Sequence, residues 1–133
     1  MCGIVGIIDF SGPVSDELIS VINNRLITRG PDAQGVYTYN NVGLGHRRLS
    51  IIDIASGNQP MLDKSEDLVI VFNGEIYNFL QLKDELERKG VHFQTKSDTE
   101  VILATYKMYG IQKSLEKLEG MFAFALLDKQ KGK

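Results

Sequence analysis

The apolar positions of this chain fall into two kinds of block. Apolar runs at Ile4 to Ile8, Leu68 to Phe72 and Met121 to Leu127 read as buried strands. Between them apolar residues recur at helical spacing. Leu18, Val21, Ile22 and Leu26 form one such set, Phe79, Leu82 and Leu86 a second, and Ile102, Tyr106 and Tyr109 a third. Each predicts a helix with one apolar face. Local punctuation agrees. Ser15 suits an N-cap with Asp16 and Glu17 in the first turn, and Gly30-Pro31 stops that helix. Asn78 can cap the second helix, which Gly90 closes. Ser97 to Glu100 fits a capping box, Gly110 ends the third helix, and a short further helix is predicted for about Gln112 to Leu118. Val36 to Tyr39 and Val91 to Thr95 predict two more strands. The succession β, α, several β, α, β, α, β predicts an α+β fold with at least one largely antiparallel sheet.

Composition narrows the picture. At 133 residues the chain suits one domain, 1–133, with a real core. A net charge of −2 gives no reason to expect nucleic acid or an acidic membrane as partner. No stretch approaches the roughly 20 apolar residues of a membrane span. The apolar start is too short for a signal peptide, lacks a basic leader, and is broken by Gly6 and Asp9. One cysteine excludes an internal disulfide and suits a reducing, cytoplasmic location. Asp128 to Lys133 is a polar turn after an apolar strand, which reads as a hairpin cut in the middle.

That single cysteine is Cys2. Removal of Met1 would give it a free α-amine, which titrates near 7.7–8.0 in general and so serves as a base at neutral pH. A nucleophile carrying its own base is a complete unit for acyl transfer. The competing reading is an inert core thiol, since free cysteine is among the most buried residue types. Further along, Arg47 and Arg48 are neighbours on a predicted strand and point to opposite faces. One can be solvated while the other faces inward and needs an anion, either a ligand carboxylate or a core acid. His46 has no companion at ligand spacing and reads as structural rather than metal-binding. Asn73-Gly74 follows a buried strand. It is either a tight hairpin turn or a pair of rigidly held donors of the kind an oxyanion needs. Arg29-Gly30-Pro31-Asp32 is either punctuation or a brace for a site.

Taken in order, the N-terminal Cys-Gly-Ile-Val-Gly, then RGPD, GHRRLSIID, GNQPM, NGEIYNF, SDTEVIL and GMFAFALLD, resemble one family across essentially the whole chain. It is the glutaminase domain of glutamine-hydrolysing asparagine synthetases, within the class II, N-terminal-nucleophile amidotransferases. The resemblance implies an αββα sandwich of two antiparallel sheets, with the C-terminal part of the domain and the ATP-dependent synthetase domain absent. It implies Cys2 as nucleophile and Asn73 with Gly74 as oxyanion hole. Arg48 would grip the glutamine carboxylate beside backbone contacts from Leu49, Ser50, Ile51 and Ile52, and Glu75 and Asp98 would hold its ammonium. The implied reaction yields glutamate and ammonia through a γ-glutamyl thioester, with the ammonia passed to aspartate to make asparagine. The same chemistry with a sugar phosphate or phosphoribosyl pyrophosphate as acceptor is the nearest rival. The resemblance implies no metal or cofactor here, with ATP and Mg in the synthetase domain. Partners would be glutamine and that domain, and a homodimer remains open.

Overall fold

The computed structural model describes residues 2–49 and 57–133. The elements run β1 (Gly3–Ile8), α1 (Asp16–Asn24), β2 (Ala33–Tyr39), β3 (Val42–Arg48), β4 (Met61–Leu62), β5 (Leu68–Ile76), α2 (Phe79–Arg88), α3 (Asp98–Lys117) and β6 (Gly120–Asp128). Two antiparallel sheets, ordered β1-β3-β2 and β4-β5-β6, face one another. Helix α1 covers the outside of the first, and α2 with α3 cover the outside of the second. This is a four-layer αββα sandwich.

Strand β5 explains the stacking. Its alternating side chains go to two different cores, because successive residues of a strand face opposite ways. Val69 and Val71 join Leu44 and Leu127 between the sheets. Leu68, Ile70, Phe72 and Ile76 join Leu82, Leu86, Ile102, Leu103 and Tyr106 beneath the helices. Strand β5 is therefore central and buried, as its unbroken apolar run predicts. The runs at β1 and β6 behave differently. Both strands lie at the edges of their sheets. Only Gly3 of β1 and Leu127 and Asp128 of β6 are buried, and Met121 is 74% exposed.

Five further expectations are corrected. Helix α1 ends at Asn24 and gives way to tight turns, with the Leu26 N–H donating to the Asn23 carbonyl. Its inward residues are Ile19 and Asn23 rather than Leu18, Val21 and Ile22, which remain accessible. The opposing sheet decides this. Gly43 and Gly45 leave a shallow face, where a Cβ on Gly43 would stand 2.7 Å from Val14 Cγ1 and one on Gly45 3.0 Å from Asn23 Oδ1. Residues 91–95 form no strand. The Glu100 carboxylate accepts the N–H groups of Gln94 (2.8 Å) and Thr95 (2.7 Å), so side-chain bonds take the place of a ladder. Glu100 is thereby drawn away from a capping box, although Ser97 Oγ still caps α3 by accepting from Thr99 N–H. Asn78 likewise makes no cap with its side chain. Its amide instead bridges the Lys117 carbonyl and the Glu119 N–H after α3. The expected division near Gly110 is present as a non-helical residue, φ 76°, inside α3.

Candidate active site

Strand register assembles the site. Antiparallel pairing of Gly3 with Arg47 carries Cys2 to the end of β3, where Arg48 and Leu49 lie. The Cys2 thiol sulfur accepts the Leu49 N–H at 3.5 Å. Arg29 Nε donates to the Cys2 carbonyl at 3.0 Å, and the Asp32 N–H donates to the Arg48 carbonyl at 3.0 Å. The Arg-Gly-Pro-Asp loop thus braces the thiol and the arginine from outside.

The second sheet contributes the end of β5. The Asn73-Gly74 pair makes no hairpin. The strand continues to Ile76, with Asn73 opposite Ala123 and Gly74 opposite Phe122. Gly74 has φ 154°, a conformation that side chains rarely adopt, and a Cβ there would overlap the Met121 carbonyl and Phe122. Only glycine fits. Across from it stands the first turn of α3, where Asp98 Oδ2 accepts the Ile76 N–H at 3.1 Å. Burial pushes the Asp98 carboxyl above its ordinary pKa and the nearby Glu75 charge adds to this, while the N–H groups of Ile76 and Thr99 act in the opposite sense. Among the described residues no lysine or arginine forms an ion pair with Asp98.

These elements enclose one cavity of about 250 Å³, lined by Cys2, Arg48, Leu49, Asn73, Gly74, Glu75 and Asp98. Seven of the ten expected site residues therefore meet in one place. Ser50, Ile51 and Ile52 lie outside the described residues. Sequence reasoning missed Gln59, Ser97, Thr99, Tyr77 and Met121, which also line the cavity. All five lie within the motifs GNQPM, NGEIYNF, SDTEVIL and GMFAFALLD, which flagged the segments but gave these residues no role.

The two arginines depart from expectation. Both are buried, Arg47 at 7% and Arg48 at 6% exposure, and neither is solvated. They do face opposite ways. Arg47 turns to α1, donating to the Asn23 carbonyl at 3.4 Å and to Asn24 Oδ1. Arg48 turns to the cavity and donates to Asn58 Oδ1 at 3.2 Å. A buried guanidinium facing a cavity that also holds carboxylates and a thiol can receive a small zwitterion. Among the described residues no three histidine, cysteine or acidic side chains are grouped to hold a metal ion, and no helix is long and apolar enough to cross a membrane.

Comparison with known proteins agrees with this arrangement. The family model described as a glutamine amidotransferase domain matches residues 1–133. Asparagine synthetase 1 (glutamine-hydrolyzing) of Bacillus subtilis is 47% identical over 97% of this chain, which spans 21% of that protein. A putative asparagine synthetase 2 (glutamine-hydrolyzing) of Methanocaldococcus jannaschii is 41% identical over 99% of this chain, which spans 28% of it. The chain thus spans well under a third of these relatives. The solved structure of glutamine phosphoribosylpyrophosphate amidotransferase from B. subtilis superposes with a TM-score of 0.74 at 22% identity, covering 97% of this chain and 35% of the other, and shows the same fold. With the sandwich, the convergent cavity and the full-length match in agreement, the chain belongs to the glutamine amidotransferase domain family.

Proposed function

We propose that this chain hydrolyses L-glutamine to glutamate and ammonia through a γ-glutamyl thioester on Cys2. The observation that carries the reading is the convergence of one thiol, one guanidinium, two carboxylates and the Asn73-Gly74 pair on a cavity of about 250 Å³. Arg48 grips the α-carboxylate of glutamine, where a planar fork suits a planar anion. Asp98 and Glu75 hold the α-ammonium. The cost of burying Asp98 as an anion, visible in its raised pKa, is then offset by the ligand's own charge.

With the head group held at both charges, the side-chain amide reaches Cys2. After loss of Met1 the Cys2 amine takes the thiol proton, and the sulfur bonds to the amide carbon. The tetrahedral oxyanion rests on the Asn73 side chain and the Gly74 N–H. The C–N bond breaks, the amine returns its proton to the departing nitrogen, and ammonia leaves. Water then attacks the thioester carbon, releasing glutamate and restoring the thiol. A reducing cytoplasm suits a reaction that depends on a free thiol.

The likeness to glutamine-hydrolysing asparagine synthetases supports a use of the ammonia in making asparagine; we assign that step to a synthetase domain of a longer chain, where ATP and Mg would activate aspartate to receive the ammonia. The phosphoribosyl pyrophosphate alternative rests only on a neighbour of low identity.

The test uses the chain with removal of Met1 verified by intact mass. 6-Diazo-5-oxo-norleucine should label the unsubstituted protein on Cys2. Cys2→Ala should take no label and release no ammonia from glutamine, while any ammonia-dependent asparagine synthesis by the longer protein persists. Glutaminase near the unsubstituted level in Cys2→Ala would overturn the assignment.

A further inference from the structure

Strand β4 is only two residues long and pairs with β5 through Met61 and Ile70, then Leu62 and Val69. Phe72 lies two residues beyond Ile70 and one position before Asn73. Its backbone groups on that side have no strand to meet. An unpaired buried backbone donor or acceptor costs about as much as a lost hydrogen bond. Two side chains meet these groups instead. Gln59 Oε1 accepts the Phe72 N–H at 2.6 Å, and His46 Nε2 lies 3.1 Å from the Phe72 carbonyl. A carbonyl only accepts, so Nε2 carries the imidazole proton and donates. Gln59 has a second bond, from its Nε2 to Thr99 Oγ1 at 3.4 Å, next to Asp98.

The two side chains come from distant places. His46 projects from β3 of the opposite sheet, two residues before Arg48, and is 1% exposed. Its other nitrogen, Nδ1, is buried with no hydrogen-bond partner among the described residues. A packing role alone would not select a residue that leaves a polar atom stranded at a cost of about 1–3 kcal/mol. Burial and the Arg48 charge keep the ring neutral, with a pKa lowered to about 4 despite the bond to Phe72.

We propose that Gln59 and His46 form a side-chain clamp on Phe72 that positions Asn73 for the oxyanion, with Gln59 also tying that strand end to the helix turn bearing Asp98. Both act as positioning residues and not through contact with the reacting atoms. Histidine 46 does not line the cavity. The clamp joins both sheets and α3 at the one residue preceding the donor, so a change in either side chain is felt at Asn73. The inference rests on the reading of this cavity as a glutaminase site.

The experiment compares pairs of substitutions in the full chain with Met1 removed. His46→Leu and Gln59→Met each delete a bond at similar volume. Displacements of about 1 Å cost roughly 10²-fold in rate, so kcat should fall by about that factor. The KM for glutamine should stay within about threefold, since uniform binding is untouched. His46→Gln returns an amide N–H near the Nε2 position, and Gln59→Glu returns an acceptor for the Phe72 N–H. Both should recover most of the lost kcat. Long-range proton–nitrogen NMR of the resting protein should show the His46 proton on Nε2 at neutral pH. A rise in KM at constant kcat in Gln59→Met would make Gln59 a substrate contact and overturn its positioning role. Equal losses in His46→Leu and His46→Gln, or a proton on Nδ1, would overturn that of the histidine. An unsubstituted chain that neither hydrolyses glutamine nor takes the label overturns the functional reading itself. An active chain indifferent to these substitutions overturns the clamp alone.

Discussion

The two sheets meet their helices in opposite ways. The outer face of β1-β3-β2 offers α1 glycine and polar groups. Gly43 and Gly45 admit Ile19 and Asn23 closely, and the Asn23 amide, fully buried, donates to the carbonyls of His46 at 3.2 Å and Gly35 at 3.4 Å. The outer face of β4-β5-β6 offers α2 and α3 a run of aliphatic and aromatic side chains. One interface is set by backbone approach and directed hydrogen bonds, the other by filling volume. Directed bonds fix angles, which suits the sheet that carries Arg48 and the strand leading from Cys2. Apolar packing supplies non-directional stability, which suits the platform carrying Asn73 and Gly74.

Four measurements put this contrast to the test. The largest effect is expected on the platform's own contribution. Asn73→Ala should lower kcat by roughly 10²–10³, about 2.7–4 kcal/mol, with little change in KM, because a donor is lost where charge develops. A change confined to KM, measured by steady-state kinetics, would move Asn73 to substrate binding.

Next come the paired arginines of the bonded sheet. Arg48→Ala should raise the glutamine KM by roughly 10- to 100-fold, about 1.5–3 kcal/mol for a hydrogen bond to a charged group. Arg47→Ala, which loses bonds to Asn23 and Asn24, should instead lower the denaturant midpoint with KM nearly unchanged. The same profile from both substitutions would erase the division of labour between the two faces of β3.

The third test sets the interfaces against each other directly. Gly45→Ala places a methyl 3.0 Å from an Asn23 side chain held by two hydrogen bonds, and should cost about 1–3 kcal/mol of overpacking. Ile70→Val in the aliphatic face should cost about 0.5–1.5 kcal/mol. Urea unfolding of both variants measures the difference, and a larger loss for Ile70→Val would reverse the comparison.

The smallest effect is a pH dependence at the junction of the sheets. His46 has its pKa lowered from 6.5 to about 4, chiefly by burial. The unfolded chain therefore binds the proton more tightly than the folded one. The stability tied to the neutral ring is complete above about pH 6.5 and is lost as pH falls toward 4, amounting to about 1.4 kcal/mol by pH 5.5. His46→Gln should flatten that part of the stability profile. An unchanged slope between pH 6.5 and 5 in the variant would show that other groups cause it.

Local features follow from neighbouring residues alone. Ser15 and Ser97 announced their helix starts, Gly90 and Gly110 their interruptions, and Leu68 to Phe72 a central strand, because capping, backbone freedom and unbroken apolar runs act within a few residues. The ordered motifs also singled out Cys2, Arg48, Leu49, Asn73, Gly74, Glu75 and Asp98, all of which share the cavity. The remaining features depend on contacts between distant segments. Periodicity pointed to Leu18, Val21 and Ile22, yet the glycines of β3 drew in Ile19 and Asn23, and those glycines lie about twenty residues further along the chain. Composition cannot tell an edge strand from a central one, so β1 and β6 read as buried although each pairs on one side only. The pattern at 91–95 read as a strand, but the Glu100 carboxylate claimed its N–H groups first. Neither burial of both arginines nor the meeting of His46 and Gln59 at Phe72 is written in any local pattern. Such contacts join positions between about ten and thirty residues apart, and only the assembled packing of sheets, helices and loops brings them within bonding distance.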